Sequence, residues 1–274
     1  MNKLLRAGFA RLRKNKLFWL LIIFSIGLAL FMIYARYSDM KIYGDVIEVE
    51  QLMLNYSTIT GVVIAIFTSL FLGVEYSDGA IRNKISTGHK RSNIYLSNLL
   101  ITSITSVFSY ILFITIVVII GIPLFGCITI PISRLLMLLG CIFATVIAYS
   151  SIFTFTAMMI SNKAITAIVS IMLSFGMMIV ALTCFNILDA PEFVPQASYV
   201  NGETEVEEIP NPKYPSEEKK KVCQTLLDII PAGQMFQLAG RSVPDLKVLP
   251  LYSLGEVIVF AGAGILLFKR KELK

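Results

Sequence analysis

The feature that most restricts this chain is a series of six apolar blocks, at residues 17–34, 56–74, 95–122, 134–160, 164–188 and 251–268. Each is near the ~20 residues needed to cross the hydrocarbon core of a bilayer. A helix at the edge of a soluble core keeps a polar stripe toward water, and these blocks have none wide enough. Lipid accommodates such helices. Composition agrees: 56% of residues are hydrophobic and 15% charged, with a mean hydropathy of +0.75, whereas a soluble domain carries roughly a quarter charged residues. The expected fold is all-α, a polytopic integral membrane protein with six transmembrane helices in a single domain over residues 1–274.

The formal charge of +6 fits topology better than nucleic-acid binding, because the basic residues cluster at the flanks of the blocks. They fall in the first sixteen residues, in the loop after span 2, at Lys163 and in the carboxyl tail (Lys269, Arg270, Lys271, Lys274). The cytoplasmic acids are Glu75, Asp78 and Glu272, and most of the others lie in the alternate loops. Both termini are therefore expected on the cytoplasmic side of the plasma membrane, consistent with an even number of spans. The first block has full spanning length and no small-x-small cleavage site before Tyr34, so it is expected to be retained rather than cleaved as a leader. Residues 1–16 place Leu5, Phe9 and Leu12 at i, i+4 and i+7 with Lys3, Arg6 and Arg13 mostly elsewhere, which predicts a helix lying at the membrane surface.

Residues 189–250 form the one long polar region, expected outside. Its first part, 189–215, is rich in proline and glutamate and predicts extended, partly mobile chain. Ser216 with Glu217 and Glu218 then reads as a helix start. Val222, Leu226, Ile229 and Ile230 line one face until Pro231, and a second short helix over 232–239 closes at Gly240. Cys127, Cys141 and Cys184 lie in or beside apolar blocks and Cys223 in the outer loop. With no CxxC and no disulfide framework, they read as small core residues.

The most informative segment is the inner loop at 75–94. Residues 79–86 predict a short helix with Ile81 and Ile85 on one side and Arg82 and Lys84 on others, bracketed by Gly79 and Gly88. Such a helix between two spans is a mechanical element, able to seat on a soluble partner and carry its motion into the membrane. The stretch FLGVEYSDGAIRNKISTGHKRSNIYLSNLL (71–100) resembles the segment after the second span in ABC-2 type permeases, the membrane subunits of type V ABC exporters. Members carry an EY-x-x-G-T-I-R-N-K-L pattern there; this chain has Ala80 in place of Thr and Ile85 in place of Leu. DIIPAGQMFQL (228–238) is similar to the Pro-x-Gly-Gln stretch that precedes the last span in many members.

The resemblance implies that residues 75–94 contain the coupling helix, with Glu75, Tyr76, Gly79, Arg82, Asn83 and Lys84 contacting the nucleotide-binding domain. It implies two ABC ATPase subunits that hold the ATP and Mg, a second permease chain, identical or homologous, and export of a substrate such as a peptide antibiotic or other amphiphile. No G-x-x-x-x-G-K-[ST] occurs, so this chain is expected to bind no cofactor of its own and to do no catalysis. The sole histidine, His89, sits in the inner loop, and no metal motif accompanies it. Glu256 is the clear ionisable residue within a span, a cavity-lining or gating acid or one that reaches the outer interface. The rival readings are a membrane scaffold or signalling subunit that uses the same coupling without cargo, and a secondary transporter.

Overall fold

The computed structural model of the chain describes residues 1–200 and 203–271. A surface helix, α1 (Asn2–Lys14), leads through Asn15 into α2 (Lys16–Tyr43). Next, α3 (Val49–Asn55) and α4 (Ser57–Ser77) run on as one membrane-length rod, followed by the short α5 (Ala80–Ser86). The long helices α6 (Arg91–Phe125), α7 (Ile132–Met159) and α8 (Lys163–Leu188) come next, then a hairpin of β1 (Phe193–Val200) and β2 (Glu203–Pro210). The chain ends with α9 (Glu217–Ile229), α10 (Pro231–Ala239) and α11 (Leu249–Arg270). Six of these elements are long and apolar enough to cross a bilayer, counting α3 and α4 as one. The protein is an all-α, multi-pass membrane protein with a surface helix first and short helices before its last span.

The rods are not equivalent. In α3–α4 and α7, 61% of the apolar window is buried, against 22% in α2 and α8 and 17% in α11. The second and fourth spans therefore form the centre, with α8 packed on α4, and α11 and α6 packed on α7. Apolar burial gives little net drive between helices already in lipid, so close approach and polar contacts matter more. Ser25 and Ser109 share a hydrogen bond of 2.8 Å between α2 and α6, and Thr102 and Thr154 one of 2.9 Å between α6 and α7. Aromatic rings fill the wider gap, with Tyr56 stacked on Phe113 at 4.2 Å.

Four details differ from the reading of the sequence. The first span continues past Tyr34 to Tyr43, where Gly44 at φ 74° stops it. Residues 49–55, expected in a polar loop, are helical; Glu50 is fully buried there, because Thr129 donates to it through its backbone N–H (3.1 Å) and its hydroxyl. Pro123 does not end the third span: it lies near the carboxyl end of α6, and the turn waits for Gly126 at φ 100°. Within residues 189–215, expected as extended, partly mobile chain, β1 and β2 pair as an antiparallel hairpin, with Phe193 opposite Pro210. Glu272 and Lys274 of the expected tail lie outside the described residues.

The expected outer helices are present. Ser216 accepts from Lys219 N at the start of α9, Pro231 opens α10 and Gly240 follows it. The surface helix is also present, with a different inner face: Leu4, Gly8 and Leu12 are buried against α6. Gly8 lets α1 lie close to α6, since a Cβ there would displace the end of the Ile101 side chain. Phe9, expected on the apolar side, stays 37% exposed on the flank.

Candidate functional site

The helix α5 hangs between two glycines in the left-handed region, Gly79 at φ 68° and Gly88 at φ 85°. Nothing crowds either one, so the requirement is for the backbone angle rather than for space. The helix seats by Ile81, which is 1% exposed, in an inner apolar cluster with Leu4, Leu12, Phe71, Leu72 and Ile94. Ile85 packs against the same cluster, Arg82, Asn83 and Ser86 are turned toward the surface, and Lys84 reaches one carboxylate.

That carboxylate is Glu75, at the end of α4 and 2% exposed. Lys84 of α5 donates to its Oε1 at 2.7 Å, and Arg11 of α1 forms an ion pair with the same oxygen. Asn98 of α6 donates to Oε2 at 2.9 Å. One buried charge thus joins four helices, and its two cations offset the cost of taking it out of water. Arg11 also lies over the Phe71 ring at 4.4 Å. Burial holds its guanidinium below its ordinary pKa, against the raising influence of Glu75 and Asp78.

A second set of contacts ties the carboxyl end of the chain to the same region. Tyr76 donates its hydroxyl proton to Met158 O at 2.6 Å, and Lys271 donates to Met158 O at 3.0 Å and to Tyr76 Oη at 3.1 Å. Arg91 donates to the carbonyls of Phe268 (3.3 Å), Lys269 (3.2 Å) and Lys271, covering the last turn of α11. This is the favoured place for a cation, at the negative end of a helix. Burial pushes the Lys271 ammonium down to about 8.

Of the six residues expected at a partner surface, Arg82 and Asn83 stand exposed on α5. Gly79 forms the start of that helix. Glu75, Tyr76 and Lys84 point inward and are engaged by the protein's own groups. The inner centre therefore has two layers, an exposed pair on α5 and a buried linkage beneath it. Sequence reading named Glu75 and Lys84 as partner contacts rather than as a pair, and gave no sign of Arg11 or Asn98 at Glu75, which reach it from distant segments. The arrangement links α5 to α4, α1 and α6 through one carboxylate.

The opposite end is organised around Gln234 of α10, which is fully buried. Its Oε1 accepts from Thr145 of α7 (2.8 Å) and Ser253 of α11 (2.6 Å), and its Nε2 donates to Asp228 O (2.8 Å). Ser57 donates to Met235 O and Gln51 to Ala239 O, so α10 is wedged among the spans. Gly233 meets the backbone of Leu227 there, which leaves no room for a side chain.

Glu256 is half-buried on α11, beside Tyr149, and its Oε2 is buried with no hydrogen-bond partner among the described residues. Along the flank of the bundle, α2, α4 and α8 border a groove of about 340 Å3 lined by apolar side chains such as Leu20, Phe24, Val62, Ile66, Phe175 and Met178. Among the described residues no group of three or more His, Cys, Asp or Glu side chains could hold a metal ion. No protein-family model matches the chain, and no curated protein matches it.

Proposed function

We propose that this chain is the membrane-spanning permease subunit of an ATP-driven exporter, with both termini in the cytoplasm of the cell and its ATPase on separate subunits. The observation that carries the reading is the Glu75 linkage: a short helix with an exposed Arg82 and Asn83 is joined through Lys84 to a carboxylate that also holds α1, α4 and α6. A loop that served only to set orientation by charge would need no buried acid and no fixed helix. Two ATPase subunits binding ATP and Mg would press on α5, and Glu75 would pass the motion to the surface helix α1 and to the second and third spans.

The open groove between α2, α4 and α8 supports pairing with a second permease chain, since α2 and α8 each have only 22% of their apolar window buried while they flank the central α4. Cargo such as an amphiphilic peptide would pass along that pairing and leave beneath α9 and α10.

The test is copurification. Arg82→Glu should lower the ATPase recovered with the tagged permease by tenfold or more, at unchanged permease yield, because the exposed side chain supports no internal contact. Full ATPase recovery with this variant would refute the coupling role. Purified alone, the permease should hydrolyse no ATP.

Glu256 supports a narrower second reading, a proton- or cation-driven transporter, because its buried oxygen lacks a partner. Transport that persists without any ATPase and is abolished by Glu256→Gln would favour it.

A further inference from the structure

On α11, Glu256 sits between two fixed contacts with α7. Ser253, one turn earlier, lies 3.2 Å from the Thr145 hydroxyl, and the Phe260 ring, one turn later, lies 5.7 Å from that of Phe155. The helices run parallel across this stretch, so Glu256 falls beside the turn of α7 from Ala148 to Ile152, which is buried throughout. Outward of it, Thr145 and Ser253 commit their hydroxyls to Gln234. Inward of it, Tyr95 of α6 donates to Phe260 O at 3.2 Å. The flanking residues of α11, Leu254, Ile258 and Val259, are exposed and apolar, as a side turned to lipid requires.

Among the described residues no counter-charge stands near. The elements packed on α11 are chiefly α7 and α6, with α9 touching it more lightly. On α7 the one charged residue is Arg134, exposed and eleven positions before Thr145; on α6 it is Arg91, held at the last turn of α11. On α9, Asp228 accepts from Gln224 and Gln237, and Glu217, Glu218 and the lysines at 219–221 belong to its amino-terminal end. On α11 itself, Lys269 and Arg270 come about 20 Å further along the axis, and the exposed Lys247 precedes the helix. Tyr149 directs its hydroxyl at Gly61 of α4, where an added Cβ would stand 2.7 Å from it.

We propose that Glu256 is a proton-binding site in the membrane core, carrying its carboxyl as the neutral acid. A carboxylate whose buried oxygen is offered no donor would place uncompensated charge in an apolar setting, and one bound proton removes that cost. A metal cation would remove it only with several converging oxygens. Here the acid stands alone: no group of three or more acidic, histidine or cysteine ligands exists among the described residues, and the hydroxyls one turn outward serve Gln234. The inference rests on the narrower reading above for its residue and deepens it by naming the ion. It is independent of the Glu75 linkage at the other end of the bundle.

The test reconstitutes the full chain in phosphatidylcholine vesicles and exposes it to dicyclohexylcarbodiimide at about pH 7, where water-exposed glutamates are ionised and unreactive. A neutral acid adds across one C=N bond: its proton passes to nitrogen and its oxygen to the central carbon, and an acyl shift to nitrogen leaves a stable N-acylurea with nothing released. Peptide mapping should find that adduct at Glu256, and not at Glu75 or Glu50, which the protein's own donors hold. Glu256→Gln should remove the adduct while the protein stays monodisperse. Infrared spectra at the same pH should show the carbonyl stretch of a protonated carboxyl, missing from Glu256→Gln, so a site that the reagent does not reach is still read. Absence of both adduct and band would overturn the proposal, as would protection of Glu256 from the reagent by sodium or calcium ions. If Glu256 is labelled and transport still requires the ATPase, the proton site stands and the gradient-driven reading fails. If transport runs without the ATPase and Glu256 carries no proton, that reading stands and the proton site fails.

Discussion

At one end of the bundle a single carboxylate gathers two cations and an amide from three other helices; at the other a neutral amide gathers two hydroxyls and a carbonyl. Both centres are buried, and both join four or so elements that are remote in sequence. They differ in how they fail. An ion cluster with one member removed leaves uncompensated charge in a poorly hydrated place, whereas a neutral network with one member removed leaves hydroxyls that can turn to backbone carbonyls. They differ also in freedom to move. The charged centre is bordered by uncrowded glycines at Gly79 and Gly88, and the neutral one by Gly233 pressed against the backbone of Leu227. The first arrangement suits a part that is displaced, the second a part that stays put.

The contrast can be broken most severely at Glu75. Glu75→Ala strands Arg11 and Lys84 beside each other without their counter-charge, and thermal unfolding in detergent should show a loss of about 4 kcal/mol. A near-neutral result would mean that the cations escape to water and that the centre is not a linkage. Alanine at the two kinds of glycine sharpens the comparison. Gly233→Ala forces a Cβ into backbone and should cost about 3 kcal/mol, while Gly79→Ala meets only the left-handed backbone penalty of about 1 kcal/mol; equal losses by the same unfolding assay would remove the distinction. Gln234→Leu comes next, with an expected loss of about 2 kcal/mol, and it should leave ATPase copurification unchanged.

The smallest effect is expected from Lys271. Its ammonium is pushed from 10.5 down to about 8 in the folded protein. Between those values the undocked tail binds more protons than the docked one, so docking strengthens as pH rises from about 8 toward 10.5 and the full cost of burying the charge is present below that window. The protection factor for hydrogen exchange at the end of α11, corrected for the intrinsic rise of exchange with pH, should increase over this range, and Lys271→Met should flatten the dependence.

The spans were legible because lipid demands long apolar helices, and hydropathy reports that demand directly. Their ends were less so. Polarity rises after Tyr34, but the helical hydrogen-bond ladder has no reason to stop where the lipid does, and α2 continues until Gly44. Glu50 looked like a loop acid because nothing nearby in sequence announces Thr129 as its partner. The same blindness to distant partners hid Arg11 and Asn98 at Glu75. The outer helices were readable from local signals, a serine start, a proline and a glycine, since capping is decided within a few residues. The hairpin was masked by its prolines, Pro195 and Pro210, which weigh against a strand even though both sit near its open end. In α1 the periodicity was correct but rotated, because Gly8 contributes no hydrophobicity to a pattern and yet marks the line of closest approach.

Asn15 carries one more implication. It is the single residue between α1 and α2, and its side chain accepts from Leu17 N at 2.8 Å, so the two helices meet with no slack. Each added or removed residue at that joint would turn the leading helix by roughly 100° about its axis and swing Arg11 out of phase with its acid. Point changes there ought to be forgiven far more readily than changes of length, and natural variation at this junction should conserve spacing before it conserves identity.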